Sequence, residues 1–371
     1  MNLLSKIKLY DRYIFRQVFA TTLGAILLFT VIWIAPEMLL NTIRKVLEGG
    51  YTIKTAVLVL FYELPNIFGK AFPVGLLLGS LFTFDKLSKD FELTIFRVAG
   101  LSVWRIIAPV IVFSLMVTAL CFVTYDKLIP ISSEKLINIK RQYDFSQYIY
   151  TKKDEVGKPD ATIVVSRFNR HIIGKVLFLD FADNEYKDLR GLSHVYVASR
   201  AENYADKWVL KDVLSYDLSD DGIVENITKK PTQEILHGTA AKDLHKLMMY
   251  SLKRDREINN KDLKAYIQLL DKEELDEESR FMQNKYYQRF THPFVCVLLA
   301  ILGSLLGFSK PREQRLVGFT IAIGAIFLYY ITLPFFDLLA EKGVMHPLLT
   351  ASFPLIAFSL AIWAFYKSKD L

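Results

Sequence analysis

A chain of 371 residues with 52% hydrophobic side chains and a mean hydropathy of +0.25 has room for more than one domain and is too apolar for an ordinary soluble protein. Its two cysteines, Cys121 and Cys296, stand outside any CxxC or Cys/His cluster, which excludes a disulfide framework or a structural zinc site. The formal net charge of +7 sits in loops between apolar blocks, so it speaks of membrane orientation and not of nucleic acid.

The first block follows Lys6, Lys8, Arg12 and Arg16. Twenty residues without a formal charge separate Arg16 from Glu37. A helix rises about 1.5 Å per residue, so about 20 apolar residues cross a hydrocarbon core of about 30 Å. The run is too long for a signal-peptide core and lacks a small-residue cleavage site, so it reads as a retained anchor. Arg44 and Lys45 follow in a short loop. Residues 56–84 form a second span that carries Glu63, Lys70, Pro65 and Pro73, with 14 charge-free residues at 71–84. Neighbouring helices satisfy a proline-interrupted backbone in a membrane, and Lys70 can snorkel toward headgroups, so a long, bent span is expected.

The loop after span two predicts a short amphipathic helix at about 86–99. Phe91, Ile95 and Val98 recur at helical spacing, and Gly100 suits a helix stop. Such a helix fits docking to a soluble partner; an ordinary interfacial connector has the same pattern. Twenty charge-free residues between Arg105 and Asp126 make span three. Its Cys121, like Cys296 in span four, reads as a small apolar side chain.

Residues 127–285 then form a separate, mostly β domain. Apolar runs at 161–168, 172–181, 192–198 and 207–216 predict strands, with turns at 169–171 and 220–222. Regularly spaced short strands favour a sandwich or jelly roll. Asn226-Ile227-Thr228 matches a glycosylation sequon, a pattern common by chance. A helix capped by Asn259 or Asn260 runs to Leu270, and charged residues 273–280 form a solvated helical approach to span four.

Spans four, five and six follow. Twenty charge-free residues lie between Arg289 and Lys310, 21 between Arg315 and Asp337, and 24 between Lys342 and Lys367. The expected plan is three spans (1–126), an inserted domain (127–285) and three spans (286–371). Lys and Arg gather at the N-terminus, after span two (Lys86, Lys89, Arg97, Arg105), after span four (Lys310, Arg312, Arg315) and at Lys367 and Lys369. All four lie on one side, which the positive-inside rule makes cytoplasmic, leaving the insert outside. Arg44, Lys45 and Lys342 are the cations of the opposite short loops.

No G-x-x-x-x-G-K-[ST], H-E-x-x-H or G-x-S-x-G occurs in the sequence, so it offers no phosphate-cradling loop for nucleotide hydrolysis and no metalloprotease or serine-hydrolase signature. A membrane-embedded hydrolase using Glu63 or Glu37 as base is a minor alternative.

Several stretches occur together in a characteristic order. They are Asp11-Arg12-Tyr13-Ile14, Leu64-Pro65, Phe72-Pro73 with Leu76-Leu77-Leu78-Gly79, and Glu92-Leu93 followed by Arg97-Val98-Ala99-Gly100. The helix at 259–270, Arg289-Phe290 with Pro293, Leu302-Gly303 with Leu306-Gly307, and Pro347 with Pro354 complete the series. With the soluble insert after span three, the chain resembles the lipopolysaccharide export permease family, LptF and LptG. Phe91 stands where the family often has Ser.

The resemblance implies a six-span permease with a periplasmic β-jelly-roll, belonging to an ATP-binding-cassette exporter of the bacterial inner membrane. A cytoplasmic ATPase dimer, a paralogous permease subunit or a second copy, and a periplasmic bridge protein are the implied partners. No cofactor is expected in this chain. Glu92, Arg97 and Phe91 would couple to the ATPase, with Arg97 meeting the partner or holding Glu92. Arg44, Lys45 and Lys70 would meet the phosphates of lipopolysaccharide, though solvated charge explains the first two equally simply. Phe29, Trp33 and Met38 of span one, with Phe319, Ile323, Ile326 and Tyr330 of span five, would line the acyl cavity. Asp11-Arg12-Tyr13-Ile14 leans toward the G-like subunit. A non-transporting scaffold that recruits envelope partners is the competing reading; an efflux permease of the mechanotransmission type does not fit the insert's position.

Overall fold

The computed structural model describes residues 9–34, 38–140, 146–153, 158–168, 173–182, 191–204, 207–219, 221–251, 253, 255–308 and 316–368. Lys6, Lys8, Glu37, the turn at 169–171, the basic loop Lys310–Arg315 and Lys369 lie outside them. The chain divides into two compact units. One comprises residues 1–136, 255–264 and 276–371, and the other residues 137–254 and 265–275.

The first unit is helical. Six of its helices are long and apolar enough to cross a membrane, as the charge-free runs predict. α1 is Leu9–Ile34, followed by the short α2, Leu40–Leu47. α3, Ile53–Lys89, is one continuous helix of 37 residues that contains both Pro65 and Pro73. At about 1.5 Å per residue it is about 55 Å long and overshoots a hydrocarbon core. α4 is Glu92–Val98 and α5 is Val103–Val123.

The third span does not stop at Asp126. A π-helical turn at Thr124–Leu128 carries α5 into α6, Ile129–Lys140. Asp126 accepts a hydrogen bond from the Asn260 backbone N–H at 3.3 Å, so the carboxylate that marks the end of the apolar run is already partnered. After the insert come α9, Asp276–Gly307, α10, Leu316–Glu341, and α11, Pro347–Ser368. Charged residues 276–280 form the first turns of α9, consistent with a helical approach to span four.

α3 is the most enclosed span and α10 the most exposed. Close helix approach explains the enclosure. A Cβ on Gly79 would strike the Thr22 backbone of α1, and a Cβ on Gly303 would strike the Leu77 carbonyl of α3. Small residues let membrane helices approach, because apolar side chains gain little from leaving lipid for protein. Polar side chains add to the grip. Thr21 Oγ1 donates to the Gly79 carbonyl at 2.9 Å and lies 2.7 Å from Thr83 Oγ1. Thr118 Oγ1 donates to the Pro293 carbonyl at 3.1 Å, and Thr291 Oγ1 to the Ala351 carbonyl at 2.8 Å. Both cysteines are buried, one in α5 and one in α9, as small core side chains should be.

The second unit is built on a six-stranded antiparallel sheet in sequential order, β1 to β6. The strands are β1 Ser146–Lys153, β2 Pro159–Phe168, β3 Ile173–Ala182, β4 Gly191–Tyr204, β5 Lys207–Leu218 and β6 Val224–His237. The expected β insert is therefore present, as a sheet accompanied by helices. Four strands fall where apolar runs predict them. β1 and β6 lie at the sheet edges and are polar or charged, so they carry no clear alternation. Pro231 in β6 is tolerated because an edge strand can lose one ladder donor. The β5–β6 turn uses Gly222 at φ +78°, closed by the Gly222 N–H to the Ser219 carbonyl at 2.8 Å.

One face of the sheet is packed. Trp208 is fully buried and donates its indole N–H to the Ala241 carbonyl at 3.0 Å. Ala241 belongs to α7, Gly238–Ser251, a helix that was not among the predicted elements; Leu244, Leu247 and Met248 bury its inner face. Residues 265–272 of α8, Asn260–Lys272, join this core through Tyr266, whose ring lies 4.9 Å from that of Tyr250. Lys272 pairs with Asp243, which raises the lysine pKa, and Tyr150 donates to Glu273.

The opposite face differs. Register aligns Ile149, Val164, Leu177, Val197 and Leu214 across five strands. A second row runs through Leu179, Val195, Tyr216 and Ile227. Ile149, Val197, Leu214 and Ile227 are exposed. Strand alternation thus gives the sheet two apolar faces, one packed and one partly open.

Candidate functional site

Residues that carry the expected chemistry fall into three groups within the helical unit. The first surrounds α4. Phe91 has φ +60°, a left-handed conformation that breaks α3 from α4 and ends the expected single helix at 86–99. A residue with a Cβ adopts this region at a cost of about 1–2 kcal/mol. Leu93 is buried and Phe96 packs on the bundle core, whereas Phe91, Ile95 and Val98 are exposed. The apolar stripe read from the sequence therefore points outward.

Glu92 opens α4 and accepts a hydrogen bond from the Tyr13 hydroxyl at 2.8 Å. Arg97 is exposed and no described contact joins it to Glu92. Arg105, at the start of α5, makes a bidentate pair with Asp11 at 2.9 and 2.8 Å, and its guanidinium lies 4.7 Å from the Tyr10 ring centroid. Tyr10 also meets Phe96, with ring centroids 6.0 Å apart. The start of α1 thus grips α4 at its beginning and its middle, and α5 at its start. Glu92 and Arg97 were legible as charges on an amphipathic helix. Asp11, Tyr13 and Arg105 act here only because the fold brings together positions up to 94 residues apart.

The second group is at the far end of α1. Arg44 and Lys45 occupy the last turn of α2. Arg44 is exposed, and the Lys45 ammonium sits 5.3 Å from the Tyr51 ring centroid. Met38 is half-buried in the turn that opens α2, and Phe29 packs against the bundle core. The Trp33 side chain lies outside the described residues. On α10, Phe319 stacks on Phe82 of α3 with centroids 5.9 Å apart, and Ile323 is exposed. Ile326 packs against the core, and Tyr330 turns into the bundle to donate to the Lys70 carbonyl at 2.6 Å. α1 and α10 both pack on α3, and both carry exposed aliphatic and aromatic side chains, among them Leu28, Val31, Phe327 and Leu328.

The third group lines a cavity of about 260 Å³ between α3, α9, α10 and the 3-10 turn Asp255–Glu257. Lys70, Arg256, Lys285 and Arg289 face it, together with Asp255 and Asp337. Of these, sequence reasoning singled out Lys70 alone. Arg289 and Asp337 were visible as the charges that bound apolar runs, and Lys285 fell in the insert's last turn.

A family model described as the lipopolysaccharide export system permease LptF/LptG matches residues 12–368, nearly the whole chain. The chain belongs to this family. A comparison with curated proteins found no match. As an LptF/LptG family member the chain is a membrane transporter component of lipopolysaccharide export, with a helical membrane part and an inserted β domain. Asp11 and Tyr13 then gain a physical reason to stand in the opening motif. Their side chains fasten α1 to α4 and to the start of α5.

Proposed function

We propose that this chain is the permease subunit of an ATP-driven exporter that lifts lipopolysaccharide from the outer leaflet of the inner membrane and passes it to a periplasmic bridge. The observation that carries the reading is the outward apolar stripe of α4 beside Glu92. Phe91, Ile95 and Val98 are exposed along one side of α4 and its N-cap, and contiguous exposed apolar side chains mark partner contacts. The partner is a cytoplasmic ABC ATPase dimer, which supplies the hydrolysis. Glu92 meets a cation of that partner in a charge-assisted contact. Both termini are cytoplasmic and the β domain is periplasmic, following the Lys and Arg distribution.

A second permease subunit, paralogous or identical, faces the exposed sides of α1 and α10. Acyl chains occupy the space between the subunits, and Arg44 and Lys45 meet phosphates at its rim, where an arginine fork suits phosphate geometry. The open apolar rows of the sheet receive the acyl chains after extraction. Reversing both rim charges, Arg44→Glu with Lys45→Glu, is expected to weaken photocrosslinking to lipopolysaccharide about tenfold or more, the size of losing one charge-assisted contact and adding repulsion. Crosslinking equal to the unmodified chain would return both residues to ordinary solvated charge.

A further inference from the structure

A cavity of about 380 Å³ opens at the start of α1, lined by Leu9, Tyr10, Arg12, Tyr13 and Arg16 of α1 and by Phe96 of α4. Arg12 and Arg16 are exposed, and neither forms an ion pair among the described residues. The nearest carboxylates are engaged elsewhere. Asp11 is held by Arg105, and Glu92 accepts from the Tyr13 hydroxyl. Asp90 stands near Tyr13 but makes no ion pair with either arginine among the described residues.

The depth of the two arginines is set by the sequence. Arg16 is the last charge before the run of 20 charge-free residues that forms the span, and Arg12 lies one turn, about 6 Å, toward the helix start. Both therefore stand at headgroup level, where Lys and Arg side chains meet lipid phosphates. Arg12, Arg16, Phe19, Leu23 and Leu27 follow one another at steps of three or four residues, which places them on one helix face. Phe19, Leu23 and Leu27 are exposed there, whereas Ile14, Val18 and Ile26 bury the opposite face in the bundle core. Two guanidinium groups without a counter-ion thus head an apolar track along the same face.

We propose that this face of α1 binds an anionic phospholipid, with its headgroup phosphate between Arg12 and Arg16 and an acyl chain along Phe19 and Leu23. Guanidinium forks match phosphate oxygens through charge-assisted hydrogen bonds, and a headgroup that carries its own ammonium gains less from them. An acidic protein surface would also attract two arginines, but it would leave Phe19 and Leu23 uncovered, because they lie inside the run that crosses the hydrocarbon core. The lipid is a resident one and not the exported one, since the site is at the opposite end of α1 from Arg44 and Lys45. Phe96 of α4 closes the cavity and Tyr13 holds Glu92, so the bound headgroup braces the joint between α1 and α4. In the orientation proposed above the lipid belongs to the cytoplasmic leaflet; binding itself does not depend on that orientation.

The test uses the full chain, delipidated in dodecyl maltoside micelles and titrated with phosphatidylglycerol or with phosphatidylethanolamine of the same acyl chains. Thermal unfolding is the readout. Phosphatidylglycerol is expected to raise Tm with saturation, and phosphatidylethanolamine at the same mole fraction is not. Arg12→Gln with Arg16→Gln is expected to weaken the apparent affinity about tenfold or more, the loss of at least one charge-assisted contact. Arg12→Gln alone gives a smaller loss and serves if the double variant folds poorly. Lys86→Gln with Lys367→Gln removes the same charge elsewhere and is expected to keep the affinity of the unmodified chain. No saturable shift, an equal shift with both lipids, or an equal loss in the Lys86 and Lys367 pair overturns the site. Loss of ATPase copurification in the arginine variant with an unchanged lipid response would assign the arginines to a protein contact and overturn it too. Lipid binding by a chain whose assembled complex exports no lipopolysaccharide would leave the site standing and count against the permease role alone.

Discussion

Glu92→Arg is expected to abolish ATP-driven export while the chain still inserts and accumulates in the membrane. Glu92 stands at the first turn of α4, half-exposed, beside the outward stripe of Phe91, Ile95 and Val98. Reversing a charge that meets a partner cation costs about 2–5 kcal/mol, a loss of at least about thirtyfold in docking. Arginine also removes the acceptor of the Tyr13 hydroxyl, so α4 loses one of its ties to α1. Tyr13→Phe separates the two effects, since it cuts the tie and keeps the carboxylate. Export and copurification of the ATPase are the readouts. Normal export by the Glu92→Arg chain would remove Glu92 from the coupling role.

Gly303→Leu is expected to destabilise the membrane unit by more than about 3 kcal/mol, at or beyond the upper end of ordinary overpacking. A Cβ at this position meets the carbonyl oxygen, carbonyl carbon and Cα of Leu77, all backbone, and backbone cannot rotate away as a side chain tip can. α3 and α9 would have to separate, and both carry much of the buried core. Gly324→Leu provides the comparison. Nothing lies within 4 Å of a Cβ there, on the exposed span α10, so Tm should hardly move. Thermal unfolding of the two purified variants checks the pair. Equal Tm values would show that the α3–α9 approach is not limited by that glycine.

Helix spans were legible because a membrane leaves one strong signal, a run without charge. Five runs met it directly. α3 was harder because Glu63, Lys70, Pro65 and Pro73 fall inside a helix that the bundle encloses, where neighbours supply what lipid cannot. The third span's end was misplaced for a related reason. Asp126 reads as a boundary, but the Asn260 N–H partners it and the helix continues. In the β unit, strands with a buried face announced themselves by apolar runs, and edge strands β1 and β6 did not. α7 does carry a helical period, Ala241, Leu244, Leu247 and Met248, which a mostly β reading of the insert passes over.

Site residues divide in the same way. The stripe of α4 was readable because helical spacing is local. Its direction was not, because Leu93 and Phe96 decide it by packing inward. The ties from Asp11 to Arg105 and from Tyr13 to Glu92 join distant positions, and no local pattern announces them. Likewise, Arg256 of the 3-10 turn, Lys285 and Arg289 of α9, and Asp337 of α10 come from three separate elements. Each looks like a flanking charge until the fold gathers them around one cavity.

On the proposed function, this chain moves lipopolysaccharide at the expense of ATP hydrolysed by a separate partner. Proteoliposomes that hold lipopolysaccharide, the chain, its ATPase and its permease partner test it most directly. ATP-dependent appearance of lipopolysaccharide on an added periplasmic acceptor, lost with Glu92→Arg, is the expected result. Transfer that proceeds equally without ATP, or no transfer from a complex that still hydrolyses ATP, would contradict it.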